Sequence, residues 1–200
     1  MIFNILPWLI STIVLFLAFM GWGQDLSWQF TDLTAYQLFP LFGLIAFSLM
    51  WVHYAVDFIQ RFVKSKIAES YLPTTRYIVF FSLLMHPGIL AWQQWHDGLG
   101  LPPLSWLNIV DSNLQWAVIV GISAWLAFLA FELHWWFRNK SWFKWIIWAN
   151  SVAMILIVIH AIFLAEPIGW FLWLWYLYGI TMIIFIVKDV YDRIYKKTGY

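Results

Sequence analysis

Histidine is the residue type in this sequence whose placement best suits chemistry. Four of the five histidines fall in consecutive long apolar segments, namely His53, His86, His134 and His160. An ionisable side chain inside a membrane is costly, so such a residue is a functional candidate by default. A neutral imidazole can ligate haem iron, and two such ligands from two helices form an electron-transfer site. The fifth histidine, His96, is expected at the outer end of its segment as an interfacial polar residue.

The four buried histidines fall into two pairs by their predicted depth. His86 and His160 lie toward the outer side and are predicted to be axial ligands of a haem iron. His53 and His134 lie toward the cytoplasmic side, where they could hold a second haem or form a proton path. The alternative for each of them is a hydrogen bond across helices.

Two carboxylates extend this second pair. Asp57 follows His53 by one helical turn and could pair with it. Glu132 precedes His134 by two residues and therefore lies on another helix face. A relay through these four residues would suit a proton-coupled carrier, which is one alternative to haem binding.

Six apolar segments must position these residues, and each is near the ~20 residues that a helix needs to cross a bilayer. They run approximately over residues 2–21, 38–58, 77–95, 114–137, 143–164 and 170–187. Helices are expected because the runs are too long and too continuously apolar for the strands of a membrane barrel. The sequence thus predicts an all-α membrane protein, a six-transmembrane-helix bundle forming one domain over residues 1–200. Past Val187 a helical apolar stripe continues into the basic tail, residues 188–200, so the last helix is expected to run on.

The charged residues predict the orientation of this bundle. All 11 Lys and Arg residues fall on one predicted side, in alternate loops and the tail. In the other loops all the charged residues are acidic, namely Asp25, Asp32, Asp97, Asp111 and Glu166. The positive-inside rule makes the basic side cytoplasmic. Both termini are therefore predicted to be cytoplasmic, in a multi-pass protein of the cell (inner) membrane.

Composition excludes several classes of function. Hydrophobic residues make up 64% of the chain and charged residues 10%, whereas soluble domains carry roughly 25% charged residues. The lipid bilayer is the expected surrounding, and no nucleic-acid partner is expected. The chain has no cysteine, which excludes disulfides, iron–sulfur clusters and covalently attached c-type haem.

Two segments resemble the ferric reductase-like transmembrane domain family, whose members bind haem b. They are Arg76–Ala91, RYIVFFSLLMHPGILA, and Trp142–Ala165, WFKWIIWANSVAMILIVIHAIFLA. The resemblance implies that His86 and His160 ligate the outer haem of the membrane component of an oxidoreductase. The sequence carries no FAD- or NAD(P)H-binding domain, so the electron donor is expected to be a cytoplasmic flavoprotein or membrane quinol.

The sequence also departs from that family. Members with two haems carry a further histidine on each of these helices, where this chain has about Leu72 and Ile147. An inner haem held by His53 and His134 instead would be similar to the arrangement of cytochrome b561. Ferric iron could be the electron acceptor at the acidic outer face, although topology alone would also produce those acidic loops. A non-haem membrane scaffold, with hydrogen-bonding histidines, is the remaining alternative.

Overall fold

The structure is a computed structural model, and it describes residues 2–63, 70–132, 143–164 and 171–195. These ranges contain helices and no strands, which confirms the all-α prediction. The α-helices are α1 (Ile2–Asp25), α2 (Ala35–Val63), α3 (Tyr71–His96), α4 (Gln115–Glu132), α5 (Phe143–Leu164) and α6 (Phe171–Tyr195). A short 3₁₀ helix, Ser105–Ile109, lies between α3 and α4.

Three of these helices are long and apolar enough to cross a membrane. Their apolar parts are Ile5–Asp25 of α1, Ala35–Gln60 of α2 and Trp173–Asp192 of α6. Two shorter apolar stretches lie in α4 and α5, over Gln115–Ala130 and Ala149–Leu164. The chain therefore has the helices of a membrane protein. Six crossings and the sides of the two termini stay predictions. Helix α3 is neither among the three long apolar helices nor among the two shorter ones. The number of crossings therefore depends on whether α3 spans the membrane.

The chain divides into two compact units. The first comprises Met1–Gln93 and Ile168–Tyr200, and the second comprises Gln94–Pro167. In the first unit α2 packs against both α1 and α6, and in the second unit α4 packs along α5. The indole nitrogen Nε1 of Trp51 on α2 donates to Thr181 Oγ1 on α6 at 2.7 Å. The predicted single domain over residues 1–200 stays a prediction.

Helix α6 has one buried face and one exposed face, and both are apolar. Its buried apolar side chains recur every three or four residues, as expected for one face of a helix; they are Trp175, Tyr178, Met182 and Ile186. The opposite face is also apolar, with Ile180, Ile184 and Val187 more than half exposed. A helix that is apolar all round suits a lipid environment, and these exposed side chains are compatible with contact to acyl chains.

The end of α6 continues past Val187, as the sequence predicted. The helix runs to Tyr195, and its carboxylates Asp189 and Asp192 are buried while Tyr195 is exposed. Lys188 forms an ion pair with Asp192 one turn away. The polar face of this segment is therefore turned inward. The sequence pattern predicted a two-faced helix but not which face is buried.

The side of each loop can be tested with single cysteines, because the chain has none of its own. Ser70 and Leu104 are exposed positions before and after α3. We expect a membrane-impermeant maleimide to label Leu104→Cys in intact spheroplasts and Ser70→Cys only after permeabilisation. Labelling of both from the same side would show that α3 does not cross the membrane.

Candidate functional site: two histidines bound to helix carbonyls

His86 lies on α3 in the first unit, where its imidazole is partly buried against α2. Its Nδ1 atom is 2.8 Å from the backbone carbonyl oxygen of Phe39 on α2. A carbonyl oxygen can only accept, so Nδ1 carries the proton and donates. The lone pair of the neutral imidazole is then on Nε2. The Phe39 ring lies beside the imidazole, with 5.3 Å between the ring centroids.

His160 lies on α5 in the second unit and makes the same kind of hydrogen bond. Its Nδ1 atom is 2.9 Å from the carbonyl oxygen of Ala117 on α4. By the same reasoning the proton is on Nδ1 and the lone pair is on Nε2. The two histidines that the sequence predicts as haem ligands therefore share one tautomer, each held by a helix of its own unit.

His53 on α2 has a different environment. Its Nε2 atom is 2.7 Å from Thr75 Oγ1 on α3. The Thr75 hydroxyl donates its proton to the carbonyl oxygen of Tyr71 at 2.8 Å, so it accepts from Nε2–H of His53. His53 therefore has the opposite tautomer from His86 and His160. Its observed partner is Thr75, not Asp57, the partner considered from the sequence.

The bond of His53 belongs to a polar network that joins α1, α2 and α3. The Tyr71 hydroxyl lies 2.5 Å from Ser11 Oγ on α1, and its ring packs edge-on against Trp8 at 5.1 Å between centroids. Ser11, Tyr71 and Thr75 are all buried. Phenol and aliphatic hydroxyl groups carry no charge at neutral pH. The network thus holds three helices together through neutral groups.

The remaining candidates lie partly outside the described residues. His134 lies outside the described residues, and the side chain of Glu132 lies outside them too. Asp57 is exposed on α2. His96 is exposed at the end of α3, as expected for an interfacial residue, with its Nδ1 atom 4.0 Å from Asp97 Oδ1. Among the described ranges no three His, Asp or Glu side chains cluster in a way that could hold a metal ion.

The loop between α3 and α4 is held by a residue that the sequence analysis did not single out. Gln94 is fully buried, and its Nε2 atom donates to the carbonyl oxygen of Ser105 at 2.8 Å. Gln115, at the start of α4, donates to the carbonyl oxygen of Leu107 at 3.2 Å. These two amides hold the 3₁₀ helix against the end of α3 and the start of α4. An isolated glutamine in an interfacial sequence gives no pattern that would have predicted this.

Comparison of the chain with protein-family models, with curated proteins and with solved structures found no match. The resemblance to the ferric reductase-like family therefore stays a prediction carried by the two segments around His86 and His160. What this chain can bind depends on the chemistry of the two imidazoles.

The hydrogen bond of His53 can be tested by removing its acceptor. Thr75→Val would leave Nε2–H of His53 without this partner, at an expected loss of about 1 kcal/mol in the free energy of unfolding. Thr74→Val is the matched control, because Thr74 is exposed and its hydroxyl donates to the carbonyl oxygen of Ser70, four residues earlier in the same segment. Thermal unfolding in detergent measures both variants. Equal stabilities would contradict a structural role for the His53–Thr75 bond.

Proposed function

We propose that this chain is a membrane subunit that binds haem b through His86 and His160 and transfers electrons across or within the bilayer. The observation that carries the proposal is the shared hydrogen bond from Nδ1 of each imidazole to a backbone carbonyl. Such a bond fixes the tautomer and the ring orientation, and it raises the basicity of the other nitrogen toward a metal. Nε2 is then the nitrogen that would bind iron.

The two imidazoles are suitable ligands for haem iron. Haem iron takes two neutral imidazoles as axial ligands in low-spin electron-transfer sites, and both histidines have the neutral donor form that this requires. When bound, haem supplies reversible one-electron chemistry. The chain's part is to hold the two Nε2 atoms, to surround them with apolar helices and so to exclude water. The two histidines belong to different units, and their sharing of one iron is proposed from the sequence resemblance and their matching chemistry.

A single haem is the form of the proposal that the described residues favour. The Nε2 atom of His53 donates to Thr75, so this imidazole does not present the donor form of His86 and His160. A second site with His134 would require His53 to change its partner. The role of His53 in this proposal is to join α2 to α3.

The direction of transfer follows from the predicted topology. Electrons would come from a cytoplasmic flavoprotein or from membrane quinol and leave toward an acceptor at the outer face. The acidic outer loops would attract a cation such as ferric iron to that face. In this reading the chain is the membrane component of an oxidoreductase.

The experiment is a reduced-minus-oxidised absorption spectrum of the detergent-purified protein, with a pyridine haemochrome count of haem per chain. We expect a b-type α-band and one haem. His86→Ala and His160→Ala should each lose haem or its low-spin character, and added imidazole should restore that character. His96→Ala is the control, because His96 is exposed at the end of α3.

Three results would count against the proposal. A featureless spectrum from folded protein expressed with ample haem would favour the scaffold or proton-carrier alternative. Full retention of low-spin haem in His86→Ala or His160→Ala would remove that histidine from the site. A count of two haems would show that the single-haem form is wrong and would return His53 and His134 to consideration as ligands.

A further inference from the structure

The carbonyls that bind the two histidines occupy the same register relative to a glycine. Phe39 precedes Gly43 by four residues on α2, and Ala117 precedes Gly121 by four residues on α4. In an α-helix the carbonyl of one residue accepts from the N–H four residues later. Each imidazole therefore bonds the carbonyl whose ordinary helical partner is a glycine. We call Phe39 with Gly43, and Ala117 with Gly121, the two carbonyl–glycine pairs.

Each imidazole has room beside the helix because the glycine has no side chain. A Cβ at position 43 would lie 2.9 Å from both Nδ1 and Cε1 of His86. A Cβ at position 121 would lie closer still to the same two atoms of His160. Real Cβ atoms essentially never come within 3.0 Å of another heavy atom in this way. The clash falls on the edge of the ring that makes the hydrogen bond, so a methyl group would displace Nδ1 from the carbonyl.

We infer that Gly43 and Gly121 are positioning residues that set the tautomer and orientation of His86 and His160. Each glycine acts by giving the Nδ1–H edge access to a carbonyl that is already part of a helix. The consequence for iron, a fixed lone pair on Nε2, depends on the proposed function. The consequence for the tautomer does not, because it follows from the helix contacts alone.

Small residues between helices also allow simple close packing. Two other glycines serve as controls that distinguish close packing from positioning of an imidazole. Gly88 lies two residues from His86 on α3, and a Cβ there would meet no atom within 4 Å. Gly23 on α1 is as tightly enclosed as the two positioning glycines, but by the ring of Trp28, with 2.6 Å to the nearest atom. Gly88→Ala controls for adding a methyl group near a histidine, and Gly23→Ala controls for crowding a ring that is not a histidine.

The first measurement does not need haem. The full chain, labelled with [15N]histidine and placed in lipid without haem, reports which ring nitrogen carries the proton. The His86 and His160 signals are assigned by their loss in His86→Gln and His160→Gln. We expect protonated Nδ1 for both in the unaltered chain. Gly43→Ala should lower the Nδ1–H signal of His86 only, and Gly121→Ala that of His160 only, with an Nε2–H signal appearing in each case.

The second measurement uses the protein purified with haem. Loss of a contact that orients a metal ligand typically lowers affinity by about 10–100-fold, and we expect that loss, with a shifted midpoint potential, for Gly43→Ala and for Gly121→Ala. Gly88→Ala and Gly23→Ala should keep the haem affinity and potential of the unaltered chain. If Gly121→Ala fails to fold, Gly43→Ala, where the added atom is less crowded, carries the test.

The outcomes distinguish the role inferred for Gly43 and Gly121 from the proposed haem-binding function. Unchanged tautomers in both Gly43→Ala and Gly121→Ala would overturn this inference even in a chain that binds haem. Equal losses of haem in Gly23→Ala would overturn the part of this inference that concerns haem, because crowding of any ring by a methyl group would then explain the loss. Tautomers that respond as expected, in a chain that never binds haem, would leave this inference standing and overturn the proposed function.

Discussion

An imidazole among apolar helices has to place its N–H on an acceptor, because no water is present to accept it and an unmade hydrogen bond there is costly. A helix backbone offers one, since each carbonyl oxygen has two lone pairs and the helix uses only one of them. His86 and His160 both use this second lone pair. The bond leaves the helix intact, and it decides which ring nitrogen keeps a lone pair for chemistry.

The same constraint gives His53 another role. Its acceptor is a hydroxyl whose own proton already goes to a carbonyl, so the ring nitrogen that donates is Nε2. Because Tyr71 and Ser11 continue the chain of contacts onto α1, the result is a neutral network across three helices. Histidines of one sequence thus differ in tautomer according to the acceptor that the neighbouring helix presents.

Lipid as a solvent explains the inverted surface of α6. Apolar side chains such as Ile180 and Val187 are exposed, whereas Asp189 and Asp192 are buried. In water this distribution would be unfavourable. Next to acyl chains an exposed isoleucine costs nothing. Asp189 and Asp192 lie past Val187, in the predicted tail, and there Lys188 pairs with the buried carboxylate of Asp192.

Composition and patterning by themselves determined the helical class, the apolar helices and the identity of the candidate histidines, because lipid admits only a few backbone structures and makes buried ionisable groups conspicuous. They also determined that α6 continues past Val187. Only the tertiary structure decided which nitrogen of each histidine donates, because that depends on a backbone carbonyl of another helix, and every residue has the same carbonyl whatever its side chain. The importance of Gly43 and Gly121 was hidden for the same reason. A glycine acts through the atoms it lacks, and only the position of the neighbouring imidazole shows what that missing side chain makes room for.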